Sequence, residues 1–306
     1  MGELNDANFD FDVSVIGLGA MGAIMAQALL KRGKRVAIWN RSPSKAEVLA
    51  AAGAHLCDSA EAALIASPVA IFVLLDNQAT HEVLGMPGVT RALANRTIVD
   101  YTTNAQDEGL ELQALINRAG GHYVKGMIVA YPRNVGHRES HSIHTGDLGA
   151  FLQHRALLEG LAGHAIFLPW EEALAFATVL HAHAFSAMVA FFEAVGASAR
   201  FGMPRSQTAR LLLDTSHFFI ADALEEAVRR LEAGNFVGDQ ARLDVHAGAF
   251  AHIAESMRAQ GAWTPVFDAV CKAVQQAASM GYGDQDIVAT THAFAAGVAY
   301  QKQSVD

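Results

Sequence analysis

Cysteine, proline and long apolar runs are scarce in this sequence, and each scarcity excludes a class of protein. The 306 residues include only two cysteines, Cys57 and Cys271, and neither has neighbours at metal-ligand spacing. A disulfide framework and a metal site are therefore not expected. No stretch reaches the ~18 uninterrupted apolar residues of a membrane helix, and the acidic residues 1–11 lack the features of a secretory signal. We expect a cytoplasmic protein without a membrane partner.

Basic residues are also few. Lysine and arginine total 22 against 31 acidic residues, which gives a formal net charge of −9. This balance argues against nucleic acid as the main partner. The 14 histidines are scattered. The nearest pair, His181 and His183, would point to different faces of a helix, so they do not predict a metal site.

Residues 13–22 carry the clearest positive signal. A β-branched strand runs into Gly17-Leu-Gly-Ala-Met-Gly22, and a helical pattern follows to Lys31. In this spacing the first glycine permits a tight turn, the second admits a pyrophosphate, and the third lets helix pack on strand. The free N–H groups at the helix start attract phosphate. We expect a dinucleotide site rather than a glycine-rich turn of another α/β domain. The expected contacts are Gly17, Leu18, Gly19, Ala20, Met21 and Gly22.

The turn after the second strand indicates which dinucleotide binds. NAD sites usually place a carboxylate there to hold the ribose 2′-hydroxyl. This chain has Asn40, Arg41, Ser42 and Lys45, and no carboxylate before Glu47. Arg41 and Lys45 can pair with a 2′-phosphate, while Asn40 and Ser42 can donate hydrogen bonds. The sequence therefore predicts NADP(H); the alternative is a solvated basic turn that opens the next helix.

Strand and helix patterns alternate through the first half of the chain. Continuous apolar runs predict buried parallel strands, and helical spacing separates them. The expected strands cover residues 13–16, 35–39, 54–56, 69–75, 97–101, 122–129, 142–145 and 165–168. The expected helices cover residues 23–31, 59–67, 82–93, 107–119 and 148–161. This alternation predicts an α/β Rossmann-type, doubly wound parallel sheet over residues 1–168.

A long, almost uncharged helix is expected next, over residues 169–201. From Trp170 to Phe201 it has no proline, and it is nearly uncharged between Ala173 and Phe192, so it must be buried on most sides. The rest, residues 202–306, is predicted to be an all-α domain. Its expected helices cover residues 204–213, 214–233, 243–260, 265–280 and 284–300. Since a single subunit can hardly cover such a helix, we expect a homodimer.

Several further segments carry a family resemblance over nearly the whole chain. They are Trp39-Asn-Arg-Ser-x-x-Lys45, Tyr123-x-x-Gly-Met-Ile-Val-Ala-Tyr-Pro132, Thr145-Gly146 with Phe151, Phe236-x-Gly-Asp239 and Gly281-Tyr-Gly-Asp-Gln-Asp286. Together with the glycine turn they resemble the imine reductases of the β-hydroxyacid dehydrogenase superfamily. The resemblance implies NADPH as cofactor and a reciprocally domain-swapped dimer, in which the partner's helical domain closes the cleft.

Further cofactor contacts are expected at or just after the ends of three later strands. They are Leu74, Leu75, Asp76, Thr102, Val129 and Ala130. The last two belong to the segment that, by the resemblance, lines the nicotinamide pocket.

The long helix departs from the family pattern. Its register follows from residues 197–203, which resemble the family's A-x-A-x-x-G-V segment. Ala177 then falls where hydroxyacid dehydrogenases carry a catalytic lysine and imine reductases usually carry aspartate. Phe185 falls at an alternative tyrosine position, and Thr103 falls near an asparagine that some reductive aminases use. Neither Ala177 nor Phe185 can donate a proton, so another group must supply it or the activity has changed.

Four other residues are candidates for the substrate pocket. His181 lies one helical turn after Ala177 and on the same face of the helix. Its role is that of a general acid, a substrate-orienting group or simply a core histidine. Tyr131 is either a proton donor or a pocket wall. By analogy with the swapped family arrangement, His217 and Phe218 also reach the pocket.

Three functions remain open from the sequence. The first is NADPH-dependent reduction of a cyclic imine or iminium, with reductive amination as an extension; an iminium needs little acid help. The second is a hydroxyacid, keto-acid or carbonyl reductase, which needs a cation or donor at the developing alkoxide. No lysine lies between Lys125 and Lys272, which argues against its lysine-dependent form. The third is an NADP(H)-binding protein with little or no turnover.

Overall fold

The computed structural model describes residues 9–297. The chain divides into two compact units, Met1–Val179 and Leu180–Asp306, so that the boundary falls inside the long helix. The sequence predicted three parts, with boundaries at residues 168 and 201, and that finer division stays a prediction.

One eight-stranded sheet forms the centre of the first unit. Its order is β3-β2-β1-β4-β5-β6-β7-β8. The strands are β1 (Val13–Ile16), β2 (Val36–Trp39), β3 (His55–Leu56), β4 (Val69–Phe72), β5 (Thr97–Asp100), β6 (His122–Val129), β7 (His141–Gly146) and β8 (His164–Phe167). All eight predicted strands are therefore present, with ends shifted by at most three residues.

The predicted doubly wound parallel sheet is present, but one pair of its strands departs from the parallel direction. Strands β6 and β7 run antiparallel, with Val124 opposite Gly146 and Val129 opposite His141, whereas the other neighbours are parallel. The link between them, residues 130–140, contains only the short 3₁₀ turn Pro132–Asn134. A parallel return requires a longer crossover, usually a helix, so this link reverses the chain instead.

Helices cover both faces of the sheet and make its two cores. They are α1 (Ala20–Lys31), α2 (Glu47–Ala51), α3 (Ala60–Ala66), α4 (Asn77–Leu84), α5 (Val89–Ala92), α6 (Gln106–Arg118) and α7 (Leu148–Leu158). Strands β1, β4 and β5 are buried at every residue. Met25 and Leu29 of α1 pack in one core, and Leu64 and Phe72 pack in the other. Because these strands are buried on both faces of the sheet, their sequences are continuous apolar runs.

The predicted helix over residues 82–93 is two shorter helices. Helix α4 begins earlier because Asp76 caps it, accepting the N–H of Ala79 at 2.8 Å. It ends at Leu84, and α5 begins after Gly88, which has a left-handed φ of +79°. Proline 87 and this glycine form the break that the sequence indicated.

The second half of the chain is helical, as predicted. Its helices are α8 (Trp170–Ser198), α9 (Arg205–Ser216), α10 (Phe219–Ala233), α11 (Leu243–Ala259), α12 (Pro265–Ala277) and α13 (Thr290–Ala296). The predicted helix over residues 284–300 is wrong at its start, because a 3₁₀ turn, Ile287–Ala289, precedes α13. Its last residues, 298–300, lie outside the described part of the chain.

Arg230 joins the two family-specific segments of the second unit. It is 5% exposed and donates to Glu226, to the carbonyl of Val237 and to Asp239, the last at 2.6 Å. Its guanidinium also lies 3.8 Å from Asp286. The Phe236–Asp239 and Gly281–Asp286 segments therefore fold against each other around one buried cation.

The second unit has a small core of its own. Its buried apolar cluster consists of Leu243, Val274 and Ala277, with partly buried neighbours. Many of its large apolar side chains are exposed, among them Phe218, Phe219 and Trp263 at 77%, 68% and 85%. The segment Trp170–Phe201 is long and apolar enough to cross a membrane by length and composition alone. The core helix of a water-soluble protein has the same composition, so this property does not by itself identify a membrane span.

Candidate active site

Two glycines shape the turn after β1. Gly17 has a φ of +95°, and a Cβ there would meet the carbonyl oxygen of Val73. A Cβ on Gly22 would meet the carbonyl oxygen of Gly17. Gly19, by contrast, has nothing within 4 Å of the place a Cβ would take. The turn therefore packs tightly towards the sheet and leaves room on the side where a pyrophosphate fits.

A cavity of about 540 Å³ runs along the carboxyl ends of the parallel strands. Its walls come from the ends of β1, β2, β4, β5 and β6, which are consecutive in the sheet. Four strand spacings separate β2 from β6, or roughly 19 Å. The predicted cofactor residues that line it are Gly17, Leu18, Gly19, Ala20, Met21, Asn40, Arg41, Ser42, Lys45, Leu74 and Leu75. Thr103, predicted for the substrate pocket, also lines it.

The remaining predicted cofactor residues stand behind or beside this cavity rather than in its wall. Gly22 packs against the turn, and Asp76 caps α4. Thr102 is 1% exposed, and its hydroxyl accepts the N–H of Leu74 at 3.1 Å. Val129 ends β6, and Ala130 follows it. Their roles as direct contacts stay predictions.

A carboxylate that the sequence analysis missed lies at the β2 end of the cavity. Arg41 forms an ion pair with Glu82 of α4 at 3.1 Å, and both line the cavity. Gln78 donates to the other carboxylate oxygen at 3.1 Å. The local sequence around Arg41 contains no such partner, since Glu82 comes from 41 positions further along the chain. An anion that reaches Arg41 must compete with this carboxylate.

Asn40 links the two turns that would hold the cofactor. Its Oδ1 accepts the N–H of Leu18 at 2.9 Å, and its Nδ2 donates to the carbonyl of Ser42 at 2.9 Å. The side chain therefore fixes the glycine turn to the basic turn. Ser42 and Lys45 are exposed on the same cavity wall. With Arg41, they give this end the positive charge that a 2′-phosphate requires.

A buried charge cluster, also missed from the sequence, lies at the end of β5. Asp100 is fully buried and accepts hydrogen bonds from the Thr102 N–H at 2.8 Å and from the Tyr123 hydroxyl at 2.9 Å. Lys125 donates to Asp100 at 3.4 Å. Burial lowers the pKa of Lys125, while Asp100 opposes that shift. Burial, followed by the charge of Asp100, raises the pKa of Tyr123. The sequence feature that could have indicated this cluster is Lys125, an isolated lysine inside a largely apolar strand.

A second polar pair, formed by the buried His144 and the partly buried Tyr101, supports the opposite side of β6. The Tyr101 hydroxyl lies 2.8 Å from Nε2 of His144, and the Tyr101 ring borders the cavity. A Cβ on Gly126 would collide with this ring, so that glycine makes room for it. Burial raises the pKa of Tyr101 and lowers that of His144 to about 4. At neutral pH both side chains are therefore uncharged.

Comparisons with known proteins agree with this architecture. Residues 12–162 match the NAD binding domain of 6-phosphogluconate dehydrogenase, and residues 172–296 match the C-terminal domain of NADPH-dependent reductive aminase-like proteins. A solved structure assigned as an oxidoreductase from Pseudomonas putida KT2440 is 81% identical and has a TM-score of 0.93. It covers 94% of this chain and 99% of its own.

An imine reductase structure from Pseudomonas sp. is 28% identical, with a TM-score of 0.80 over 93% of this chain and 99% of its own. The chain belongs to the imine reductase family. The NADPH-dependent reductive aminase of Aspergillus oryzae, 23% identical, aligns over 93% of this chain and 97% of its own. The chain is thus an NADP(H)-dependent oxidoreductase, and the predicted fold, with its Rossmann-like unit and helical unit, is confirmed.

The register predicted for the long helix places Ala177 at the family's usual catalytic position, and this assignment stays a prediction. Ala177 is 7% exposed in the first unit. Tyr131 is 52% exposed, and the guanidinium of Arg133 lies 4.8 Å from its ring centre. Among residues 9–297, no group of three or more histidine, cysteine or acidic side chains is arranged to hold a metal ion.

The other predicted pocket residues lie in the second unit. The rings of His181 and Phe185 stack, with centroids 6.2 Å apart. His217 follows α9, and Phe218 precedes α10. Their part in a substrate pocket stays a prediction.

The different packing of Gly19 and Gly22 predicts different outcomes for the same substitution. Gly19→Ala adds a methyl group to open space, so we expect unchanged thermal stability and at least about tenfold weaker NADPH binding. Gly22→Ala forces a backbone collision, so we expect about 1–3 kcal/mol of lost stability. Thermal unfolding and fluorescence titration with NADPH measure both effects. Unaltered NADPH affinity in Gly19→Ala would contradict the cofactor site.

The Arg41–Glu82 pair predicts opposite changes in cofactor affinity. Arg41→Ala removes a charge-assisted phosphate contact, so NADPH affinity should fall by roughly 1.5–3 kcal/mol. Glu82→Gln removes the competing carboxylate, so NADPH should bind about two- to fivefold tighter, as expected for an exposed ion pair. Titration of NADPH and NADH into each variant measures this. Glu61→Gln, which disrupts the exposed Glu61–Arg91 pair, is the matched control. Equal wild-type affinities for the two cofactors would refute the phosphate assignment.

Proposed function

We propose that this protein catalyses the NADPH-dependent reduction of C=N bonds in cyclic imines or iminium ions, with reductive amination as an extension. The observation that carries the proposal is the buried Ala177, at the long-helix position where hydroxyacid dehydrogenases would carry lysine. The match of residues 172–296 to a reductive aminase-like domain supports it further.

Different residues of the chain bind different parts of NADPH. Arg41 and Lys45 bind the 2′-phosphate, and the first N–H groups of α1 bind the pyrophosphate. Met21 of α1 and Ile128 of β6 contribute apolar surface to the cavity wall. Bound NADPH supplies a hydride, and an iminium accepts it without prior protonation. An apolar, ordered pocket is therefore enough for this reaction.

The buried lysine does not favour the keto-acid alternative. Reduction of a carbonyl develops an alkoxide that needs an available cation or donor. Lys125 already faces Asp100 at 3.4 Å, so its charge is balanced inside the protein. A protein that binds NADP(H) without turnover is the remaining alternative, and a turnover assay decides between them.

The second unit supports a proposed homodimer. The buried apolar cluster of this unit, which begins at Leu180, contains only small and medium-sized side chains. In α8, Phe185, Val189 and Phe192 are each at least half exposed. Soluble monomers rarely expose apolar patches larger than a few hundred Å². We propose that a second copy of the chain covers this surface, in a cytoplasmic enzyme.

The substrate class is tested by NADPH oxidation with 1-pyrroline, with an N-methyl iminium, with ketone–amine pairs and with 2- and 3-keto acids. We expect turnover of the first three classes. Activity confined to keto acids would reverse the proposal, and no turnover with any substrate would favour the non-catalytic alternative.

The same assay tests the proton donors. His181→Ala and Tyr131→Phe should slow reduction of neutral 1-pyrroline by about 10²-fold if either residue is a positioned general acid. Neither substitution should abolish reduction of the N-methyl iminium, whose nitrogen needs no proton. An unchanged ratio of the two rates in both variants means that neither residue is the donor.

The dimer is tested by light scattering at micromolar concentration. We expect twice the mass of the 32.5 kDa chain. Phe192→Glu should shift the mass towards one chain, because it places a charge on the apolar surface of α8. A wild-type mass of one chain would overturn the proposal.

A further inference from the structure

The backbone of Thr102 is held on both sides by one buried ion pair. Asp100 accepts its N–H at 2.8 Å, and the ammonium of Lys125 donates to its carbonyl. The hydroxyl of Thr102 in turn accepts the N–H of Leu74 at 3.1 Å. This residue, 1% exposed, therefore connects the end of β5 to the end of β4.

The ion pair is almost fully buried. Asp100 has no exposed surface, and Lys125 is 7% exposed. Two neutral groups complete the carboxylate's partners, the Tyr123 hydroxyl at 2.9 Å and the Asn104 amide at 3.1 Å. The ring of Trp170 stacks on that of Tyr123, with centroids 6.4 Å apart and planes 8° apart. Charges interact more strongly in such a water-poor setting than at the surface.

The residues beside Thr102 belong to the wall of the cofactor cavity. Tyr101 and Thr103 both line it, and so does Leu74 on the adjacent strand end. Lys125 itself does not border this cavity. Its hydrogen bond to the carbonyl of Thr102 connects it directly to the segment between Tyr101 and Thr103.

Burial of an ion pair is weak evidence of a stabilising role, because desolvation offsets much of the attraction. The bonds of this pair are directed instead at one backbone segment of the cavity wall. That segment lies at the β5–β6 end, opposite the Arg41 end.

We propose that Lys125, paired with Asp100, is a positioning residue that fixes residues 101–103 as the rigid wall against the nicotinamide half of NADPH. The inference rests on the proposed orientation, in which Arg41 holds the 2′-phosphate. Displacement of a reacting group by about 1 Å can reduce the rate 10²-fold, so rigidity here bears directly on hydride transfer.

The test compares two ligands that differ only in nicotinamide. NADPH and 2′-phospho-ADP-ribose are titrated by calorimetry into wild type and Lys125→Met, which keeps the length of the side chain without its charge. We expect similar affinity for the fragment and a loss of at least about fivefold in the preference for NADPH, since only the nicotinamide half meets the loosened wall. With 1-pyrroline, kcat should fall at least about tenfold.

A second variant distinguishes a loss of positioning from a general loss of stability. Asp100→Asn combined with Lys125→Met leaves no unpaired buried charge, so it should be more stable than the single variant. It should still show the reduced NADPH preference. Arg91→Met, which removes a cation from the exposed pair with Glu61, is the control and should match wild type.

Three results would overturn the proposal: equal loss of affinity for both ligands, unchanged affinity for both, or recovery of NADPH preference in the double variant. Because the affinity comparison needs no turnover, it tests Lys125 even if 1-pyrroline is not a substrate. Failure of the imine proposal and failure of this one are thus distinguishable.

Discussion

The close packing of α1 against the turn after β1 is the constraint on which the cofactor site depends. A side chain at Gly22 would strike the carbonyl of Gly17, and one at Gly17 would strike the carbonyl of Val73. With both side chains absent, the start of α1 reaches the carboxyl edge of the sheet, where Gly19, Ala20 and Met21 line the cavity. The remaining contacts of the dinucleotide site are arranged around this point.

The site combines charges at one end with uncharged groups at the other. Arg41 and Lys45 follow β2, and Glu82 restrains Arg41 from α4. Around β5 and β6, in contrast, Lys125 is neutralised by Asp100, and burial keeps Tyr101 and His144 uncharged. Such a division suits a cofactor whose phosphates bind at one end and whose hydride is transferred in an apolar environment at the other.

The two units differ in how much apolar surface each of them buries. The first buries whole strands between helix layers and has two apolar cores. The second buries few large side chains, although Arg230 joins the Phe236–Asp239 and Gly281–Asp286 segments through Asp239 and Asp286 and also pairs with Glu226. The exposed apolar surface of this helical unit is the observation that supports the proposed homodimer.

Local sequence determined the strands, the glycine turn and the basic turn, because apolar periodicity, backbone sterics and side-chain charge are properties of a few neighbouring residues. It also located most of the cavity wall, since carboxyl ends of parallel strands share one edge. It failed for the direction of β7, the partner of Arg41 and the Asp100–Lys125 pair. Each of these depends on residues far apart in sequence, whose approach only the packed sheet decides. Glu82 meets Arg41 across 41 positions, and Lys125 meets Asp100 across 25.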